Sequence, residues 1–224
     1  MAESAKTFVP KFFDETGTTY DGVVSYGTLG KDKYWKRKML EQISDGSSFL
    51  DLACGTGILT REIAEKFPNS KIVGIDITKS YLDVAKKNSS YFENISFILD
   101  DAEEFKLDSK FDCITASYLP KYCDPEILVK NCTAHLKPGG KIIFHDFTYP
   151  KNLVVRGLWN LFLTSLRLVG CFIPSWKDAL IGLPKLIRRT KWLESYSDVM
   201  KKNGLNVNRQ YLTCGASAIL TGTK

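Results

Sequence analysis

Seven short apolar runs punctuate the chain: Ser48–Leu52, Lys71–Ile75, Ile95–Leu99, Phe111–Ser117, Lys141–Phe144, Leu205–Leu212 and Ala216–Thr221. They are nearly continuous in apolar character rather than alternating, as expected of strands covered on both faces. Segments with helical spacing lie between them. Leu59–Phe67 stops before Pro68, Ser80–Asn88 places Ser80 as an N-cap, and Pro125–Leu136 opens on a proline suited to a first helical turn. Lys137-Pro138-Gly139-Gly140 reads as a turn before the fifth run. Alternating strands and helices predict βαβ units in a doubly wound, mostly parallel α/β sheet of seven strands. The last two runs are joined only through Thr213-Cys214-Gly215, so the sheet should close with an antiparallel last strand.

The stretch 151–173 approaches the length of a bilayer span. Arg156, Asn160, Thr164 and Arg167, however, follow one another at four, four and three residues and form one polar stripe on a helix. Two arginines make a spanning helix costly. The segment Leu153–Ile173 therefore predicts an amphipathic helix with a broad apolar face. Two roles suit that face: packing on the domain, or serving as a mobile lid over an apolar ligand and touching lipid.

Composition narrows the class. With 224 residues, 44 % hydrophobic and 25 % charged, the chain suits one folded domain that needs no disulfides. No secretory signal is read in the polar opening Met1–Lys6. The six cysteines form no CxxC pair and stand beside no histidine cluster, so no metal site is expected and reduced thiols in a cytoplasmic protein are. The net charge of +6 is uneven: residues 151–210 hold eleven Lys or Arg against three acids, whereas residues 1–150 come out near −3. Nucleic acid, an anionic membrane surface and an ordinary solvated face each account for that basic segment.

The chemistry concentrates after the first strand, in Asp51-Leu52-Ala53-Cys54-Gly55-Thr56-Gly57. Gly55 and Gly57 let the backbone turn tightly and approach a ligand. A dinucleotide fingerprint needs a third small residue three positions on, where Thr60 stands. A carboxylate at Asp51 suits a cationic amino-acid moiety and opposes a pyrophosphate, which favours S-adenosyl-L-methionine over NAD. Asp76 ends the second strand, where a carboxylate can accept from both ribose hydroxyls. Asp101 follows the third strand, placed to accept from the adenine amine. Three acids at three successive strand ends line one crevice of a parallel sheet.

On these residues the chain resembles the class I S-adenosylmethionine-dependent methyltransferases. It is similar in particular to the ubiquinone and menaquinone C-methyltransferase family. The resemblance runs from Phe13-Asp14 through Tyr20-Asp21, Ser25-Tyr26-Gly27 and Trp35-Lys36-Arg37 to the glycine loop. It continues through Phe111-Asp112-Cys113-Ile114-Thr115 and Leu136-Lys137-Pro138-Gly139-Gly140 to Leu212-Thr213-Cys214-Gly215. It implies a Rossmann-like methyltransferase fold with S-adenosyl-L-methionine held by Asp51, Ala53, Gly55, Thr56, Gly57, Asp76, Ile77, Asp101, Ala102 and Ser117. It also implies a single domain over 1–224: a helical cover at 1–45, a cofactor-binding core at 46–150, a helical lid or substrate insert at 151–200, and a closing hairpin at 201–224. The segment around Tyr20 and Trp35 would cover the cofactor; its plainer reading is a packing helix with Lys36 and Arg37 snorkelling to water.

The chain departs from the quinone branch after strand four. The family's Phe-Gly-x-Arg-Asn is Tyr118-Leu119-Pro120-Lys121-Tyr122 here, so the planar fork of arginine is lost. The Asn/Asp-Pro-Pro-aromatic sequence of amino-group methyltransferases is missing, and so is the Pro-Cys pair of the cytosine C5 class, since Cys123 follows Tyr122. Methylation of a ring carbon needs a deprotonated or hydrogen-bonded ring oxygen. The candidates for that work are His145, Asp146, Tyr118 and Lys121, all at strand ends near the expected methyl donor. Adjacent residues of an extended strand face opposite ways, so at most one of His145 and Asp146 should meet the acceptor. The leading expectation is methyl transfer to an apolar acceptor, a ring carbon of an isoprenoid quinone precursor. The alternatives are another lipid or small molecule such as a phospholipid amine, and a cofactor-binding module without chemistry. The expected partners are a small-molecule or lipid acceptor and, weakly, an anionic membrane surface met by Lys185, Arg188, Arg189 and Lys191, but no nucleic acid.

Overall fold

The computed structural model describes residues 19–170 and 176–224. Phe13-Asp14, Cys171, Phe172 and the last residues of the predicted Leu153–Ile173 helix lie outside them. In chain order the elements are α1 (Tyr20–Gly27), α2 (Lys31–Gln42), β1 (Ser48–Leu52), α3 (Ile58–Lys66), β2 (Lys71–Asp76), α4 (Lys79–Asn88), β3 (Ile95–Leu99) and β4 (Phe111–Ser117). A 3-10 turn at Pro120–Tyr122 leads to α5 (Pro125–Ala134), β5 (Leu136–Phe147), α6 (Leu153–Gly170), α7 (Lys177–Arg189), α8 (Trp192–Lys202), β6 (Asn206–Leu212) and β7 (Ser217–Thr223).

The strands form one seven-stranded sheet in the order β3-β2-β1-β4-β5-β7-β6. β1 to β5 are parallel, and β7 runs antiparallel between β5 and β6. The doubly wound α/β architecture with an antiparallel last strand is therefore present. Successive strand residues go to opposite faces. Leu50, Ile114, Ile142 and Phe144 pack with α5 and α8 through Leu128, Tyr196 and Met200. Phe49, Ile72, Cys113 and Ile143 pack with α2 and α3 through Trp35, Met39 and Ile63. Two buried faces explain why the strand sequences lack polar alternation.

Local chemistry sets the element ends. Asp124, rather than a helical residue, caps α5 by accepting from Glu126 N–H and Ile127 N–H, with Pro125 in the first turn. Ser80 is not an N-cap: α4 starts a residue earlier behind Thr78, and the Ser80 hydroxyl is buried inside the helix. The Lys137–Gly140 turn is not a break before β5 but an outward bulge within it. From Phe111↔Leu136 to Cys113↔Lys141 the register advances two residues on β4 and five on β5.

The Leu153–Ile173 prediction becomes α6, and its apolar face divides. Leu163 and Leu166 are buried with Trp159, Phe162, Trp176 and Leu180, whereas Val154, Leu158, Leu161 and Leu168 face outward. Among the described residues no helix is long and apolar enough to cross a membrane.

Candidate active site

The carboxyl ends of β1, β2, β3 and β4 open into a cavity of about 460 Å³, within the roughly 300–1,000 Å³ usual for small-ligand sites. Its floor is the sheet edge: Ala53, Gly55, Asp76, Ile77, Asp101, Ala102 and Ser117. Its side wall holds Tyr118, Lys121, Tyr122 and Phe147, and its roof comes from Tyr20 and Val23 of α1, Leu166 of α6, and Leu180, Leu183 and Leu186 of α7. This is the crevice outside the strand ends where open α/β sheets bind ligands.

The loop after β1 is shaped by backbone geometry. Ala53, Gly55 and Gly57 all have positive φ. At Gly57, φ is +79° and an added Cβ would stand 3.2 Å from the Ala85 Cβ, so both conformation and space call for glycine. Asp76 locks the loop to β2. Its Oδ2 accepts from Gly55 N–H and its Oδ1 from Thr78 N–H, each at 2.8 Å. Burial raises the Asp76 carboxyl above its ordinary range, opposed by those same N–H groups. Each oxygen retains a lone pair for a further donor. Asp101 Oδ1 accepts from Glu103 N–H at 2.9 Å.

Asp51, Thr56 and Gly57 stand behind the cavity wall rather than among its lining residues. Asp51 is buried and accepts from the Thr60 and Thr115 hydroxyls at 2.7 and 2.8 Å. Burial pushes its carboxyl up to about 6 against those two hydrogen bonds. The Thr56 hydroxyl donates to Asp21 Oδ1 at 2.6 Å, which ties α1 to the loop.

The four strand-end candidates form two networks. Lys121 and Asp146 are a buried pair: Lys121 Nζ donates to Asp146 Oδ1 at 3.0 Å and to the Tyr118 carbonyl at 2.5 Å. Asp146 also accepts from Lys121 N–H and from its neighbour Phe147 N–H. Burial lowers the Lys121 ammonium and raises the Asp146 carboxyl, and each charge offsets the other's loss of water. Lys121 is therefore no exposed lysine; it lines the cavity, 4.3 Å from the centre of the Tyr122 ring. Tyr118 sits at φ +65°, a strained position for an aromatic residue, and its hydroxyl donates to Asp32 Oδ1 at 2.8 Å. Asp32 is in turn paired with Lys36 one helical turn on.

His145 and Asp146 are fully buried and neither lines the cavity. The His145 ring lies between two hydroxyls, with Nδ1 3.0 Å from Ser117 Oγ and Nε2 2.6 Å from Ser217 Oγ. Burial, with Lys36 and Lys121 nearby, holds the imidazole neutral well below its ordinary range. In the amino-terminal segment, Tyr20 meets the cavity and packs at a tilt against Tyr81, with ring centres 4.9 Å apart and planes at 51°. Trp35 instead joins the core, its Nε1 donating to the Thr213 hydroxyl at 2.8 Å. Lys36 is buried against Asp32 rather than snorkelling, while Arg37 is exposed. Sequence reasoning passed over Asp32 and Tyr81. The only local hint of Asp32 was its i,i+4 spacing to Lys36. Among the described residues no cluster of three His, Cys, Asp or Glu side chains is arranged to hold a metal.

A doubly wound sheet whose glycine loop, Asp76 and Asp101 surround one strand-end cavity defines a methyltransferase that uses S-adenosyl-L-methionine. Solved structures share this architecture. The methyltransferase in a complex with Trm112 from Haloferax volcanii matches with a TM-score of 0.66 at 15 % identity, over 94 % of this chain and 96 % of that one. The geranyl diphosphate C-methyltransferase of Streptomyces coelicolor matches at 0.62 and 10 %, over 85 % and 77 %. More particularly, the chain belongs to the ubiE/COQ5 methyltransferase family, whose model matches residues 1–224. Its relatives include the ubiquinone/menaquinone biosynthesis C-methyltransferase UbiE of Hahella chejuensis, 29 % identical over 98 % of this chain and 92 % of the relative. The demethylmenaquinone methyltransferase of Chlorobaculum tepidum is 28 % identical over 89 % and 85 %.

Proposed function

We propose that the chain methylates a ring carbon of an isoprenoid hydroquinone, with the reaction centre at the junction of β4 and the 3-10 turn. The observation that carries this reading is one cavity with two unlike ends. The Asp76–Asp101 edge is polar, and the opposite wall is apolar and aromatic, with Lys121 the one cation among the described lining residues. The first end suits a nucleoside and the second an apolar ring that bears an anionic oxygen.

Asp76 would accept from the ribose hydroxyls and Asp101 from the adenine amine, with Ala53, Ile77 and Ala102 as the walls and Ser117 beside the methionine portion. Asp51 contributes its charge from behind the loop. The cofactor supplies a methyl group already activated on a sulfonium. The remaining task for the protein is to align the acceptor, exclude water and raise the electron density of the ring. In this reading Lys121 and Tyr118 touch the acceptor. The ring hydroxyl would give up its proton to water before the site closes, and the Lys121 ammonium stabilises the resulting anion, which directs electron density to the neighbouring carbon; that carbon takes the methyl as its bond to sulfur breaks, and the hydrogen it carried leaves as a proton to water. Asp146 acts through Lys121 by holding its ammonium, and His145 acts through Ser117 by orienting that hydroxyl. The roof leucines of α7 fit an isoprenoid chain better than a polar headgroup. An acceptor of this kind resides in lipid, so the chain would work at a membrane surface.

The Lys121–Tyr122 departure gives a test. Lys121→Arg with Tyr122→Asn restores the family's pair. With a hydroquinone acceptor, turnover should be kept or raised and cofactor affinity should stay within about twofold, on the order of 0.4 kcal/mol. Turnover lost with cofactor affinity intact would mean a different acceptor. Equal loss of both, measured by calorimetry beside a methyl-transfer assay, would assign the two residues to the fold alone.

A further inference from the structure

We propose that Asp32 is a positioning residue: it commits the Tyr118 hydroxyl hydrogen, so that Tyr118 receives the acceptor's second hydroxyl and the site selects a ring with both hydroxyls free. This rests on the hydroquinone acceptor proposed above and deepens it. Asp32 lies on α2, 86 residues from Tyr118 in sequence, and is not among the cavity-lining residues. Tyr118 is held from four sides. Its hydroxyl donates to Asp32 Oδ1 and its N–H to the His145 carbonyl, each at 2.8 Å. Its carbonyl accepts from Lys121 Nζ at 2.5 Å, and its ring stacks on Phe147 with centres 5.1 Å apart and planes at 24°. A tyrosine at φ +65° keeps that backbone because its surroundings fix it. Asp32 is fixed as well. Its N–H donates to the Thr28 hydroxyl at 3.2 Å, and that hydroxyl donates to the Val24 carbonyl at 2.8 Å. The Lys36 ammonium donates to the same Oδ1 that accepts from Tyr118, and Asp32 and Lys36 are both buried.

Counting hydrogens sets what this wall offers a ligand. A phenol has one hydrogen, and a carboxylate accepts without donating. With its hydrogen on Asp32, the Tyr118 oxygen has only lone pairs left. Burial, with Asp32 alongside, raises the phenol well above its ordinary range and keeps it neutral. The Lys121 ammonium is the reverse, a donor with no lone pair. Tyr118 and Lys121 both line the cavity, and the ammonium lies 5.5 Å from the Tyr118 ring centre. One wall therefore carries an acceptor beside a cationic donor. A hydroquinone that has lost one proton is complementary: its anionic oxygen meets Lys121 and its remaining O–H donates to Tyr118. An anion placed at Tyr118 would instead face lone pairs, so the charge is confined to the oxygen at Lys121. A ring without a free second hydroxyl leaves the Tyr118 oxygen without a donor.

The test measures kcat/KM of the full chain on three kinds of ring. They are a short-chain, water-soluble alkyl-1,4-benzenediol, its mono-O-methyl ethers, and the alkylphenols that lack one of the hydroxyls. Wild type should prefer the diol over both other kinds by about tenfold or more. Asp32→Leu with Lys36→Met removes the buried pair together and strands no charge. There the freed Tyr118 hydroxyl donates to an ether oxygen, so the preference over the ethers should shrink to about threefold or less while the phenols stay poor. A loss of packing alone would lower all three alike. Asp32→Asn with Lys36→Met, whose amide oxygen still accepts from Tyr118, should keep most of the preference. Tyr118→Phe leaves Asp32 and Lys36 paired and decides the matter if the double variants melt early; its preference for the diol over the phenols should fall about tenfold. An unchanged diol-to-ether preference in a folded Asp32→Leu/Lys36→Met protein would overturn the inference. So would an unchanged diol-to-phenol preference in Tyr118→Phe, or a wild type that takes the ethers as readily as the diol. Wild type that binds the cofactor and methylates none of these rings would refute the hydroquinone reading itself, and the inference would fall with it.

Discussion

Lys121→Met should destabilise the fold by about 3–5 kcal/mol, the usual cost of leaving one member of a buried ion pair without its partner. The Lys121 and Asp146 side chains are 2 % and 0 % exposed, so water cannot replace the lost ammonium. For a chain of this size, roughly 2–4 °C per kcal/mol predicts a melting temperature about 6–20 °C lower by calorimetry. Adding Asp146→Asn should recover most of the loss. The stranded charge is gone and the amide oxygen keeps one of the two backbone N–H donors, Lys121 or Phe147, which in the wild type bind different carboxylate oxygens, so the recovery is large but incomplete. A Lys121→Met protein as stable as the wild type would show that the pair is not formed. The double variant should nonetheless lose turnover, because the cation at the acceptor wall is gone.

Asp76→Ala should weaken binding of S-adenosyl-L-methionine, or of its demethylated product, by about tenfold to a hundredfold, or 1.4–2.8 kcal/mol. Two effects add. The acceptors proposed for the ribose disappear, and the Gly55 and Thr78 N–H groups lose the carboxylate that fixes the loop at 2.8 Å. Asp76→Asn, which keeps one acceptor oxygen, should fall between the two. Calorimetric affinity that stays within about twofold of the wild type in Asp76→Ala would remove Asp76 from the cofactor site.

The fold was legible in the strands because their burial on both faces leaves a continuous apolar signal. Phe49 and Leu50 point to opposite cores, and both are apolar. Boundaries were less legible where the backbone overrode composition. Pro138-Gly139-Gly140 signals a turn, yet strand pairing resumes on both sides and the turn becomes a bulge. Ser80 has the chemistry of a cap, but Thr78 precedes the first helical residue. The glycine loop, Asp76 and Asp101 could be read because strand ends follow from strand positions. The state of Lys121 could not, since it depends on Asp146, 25 residues away on the next strand. Asp32 escaped notice for the same reason: its contact with Tyr118 spans 86 residues. The apolar face of α6 was visible as a whole, but its division into a packed and a bare half depends on tertiary placement that periodicity does not carry.

The most direct test of the central claim follows the methyl group itself. The protein is incubated with methyl-labelled S-adenosyl-L-methionine and, in parallel, with a demethylated isoprenoid hydroquinone and with a phospholipid bearing a primary amine. The products are then resolved by mass spectrometry. The account predicts label on a ring carbon of the hydroquinone and none on the amine, with the signal lost in Lys121→Met/Asp146→Asn. Label on the phospholipid nitrogen, or no transfer to the hydroquinone by protein that binds the cofactor, would contradict it.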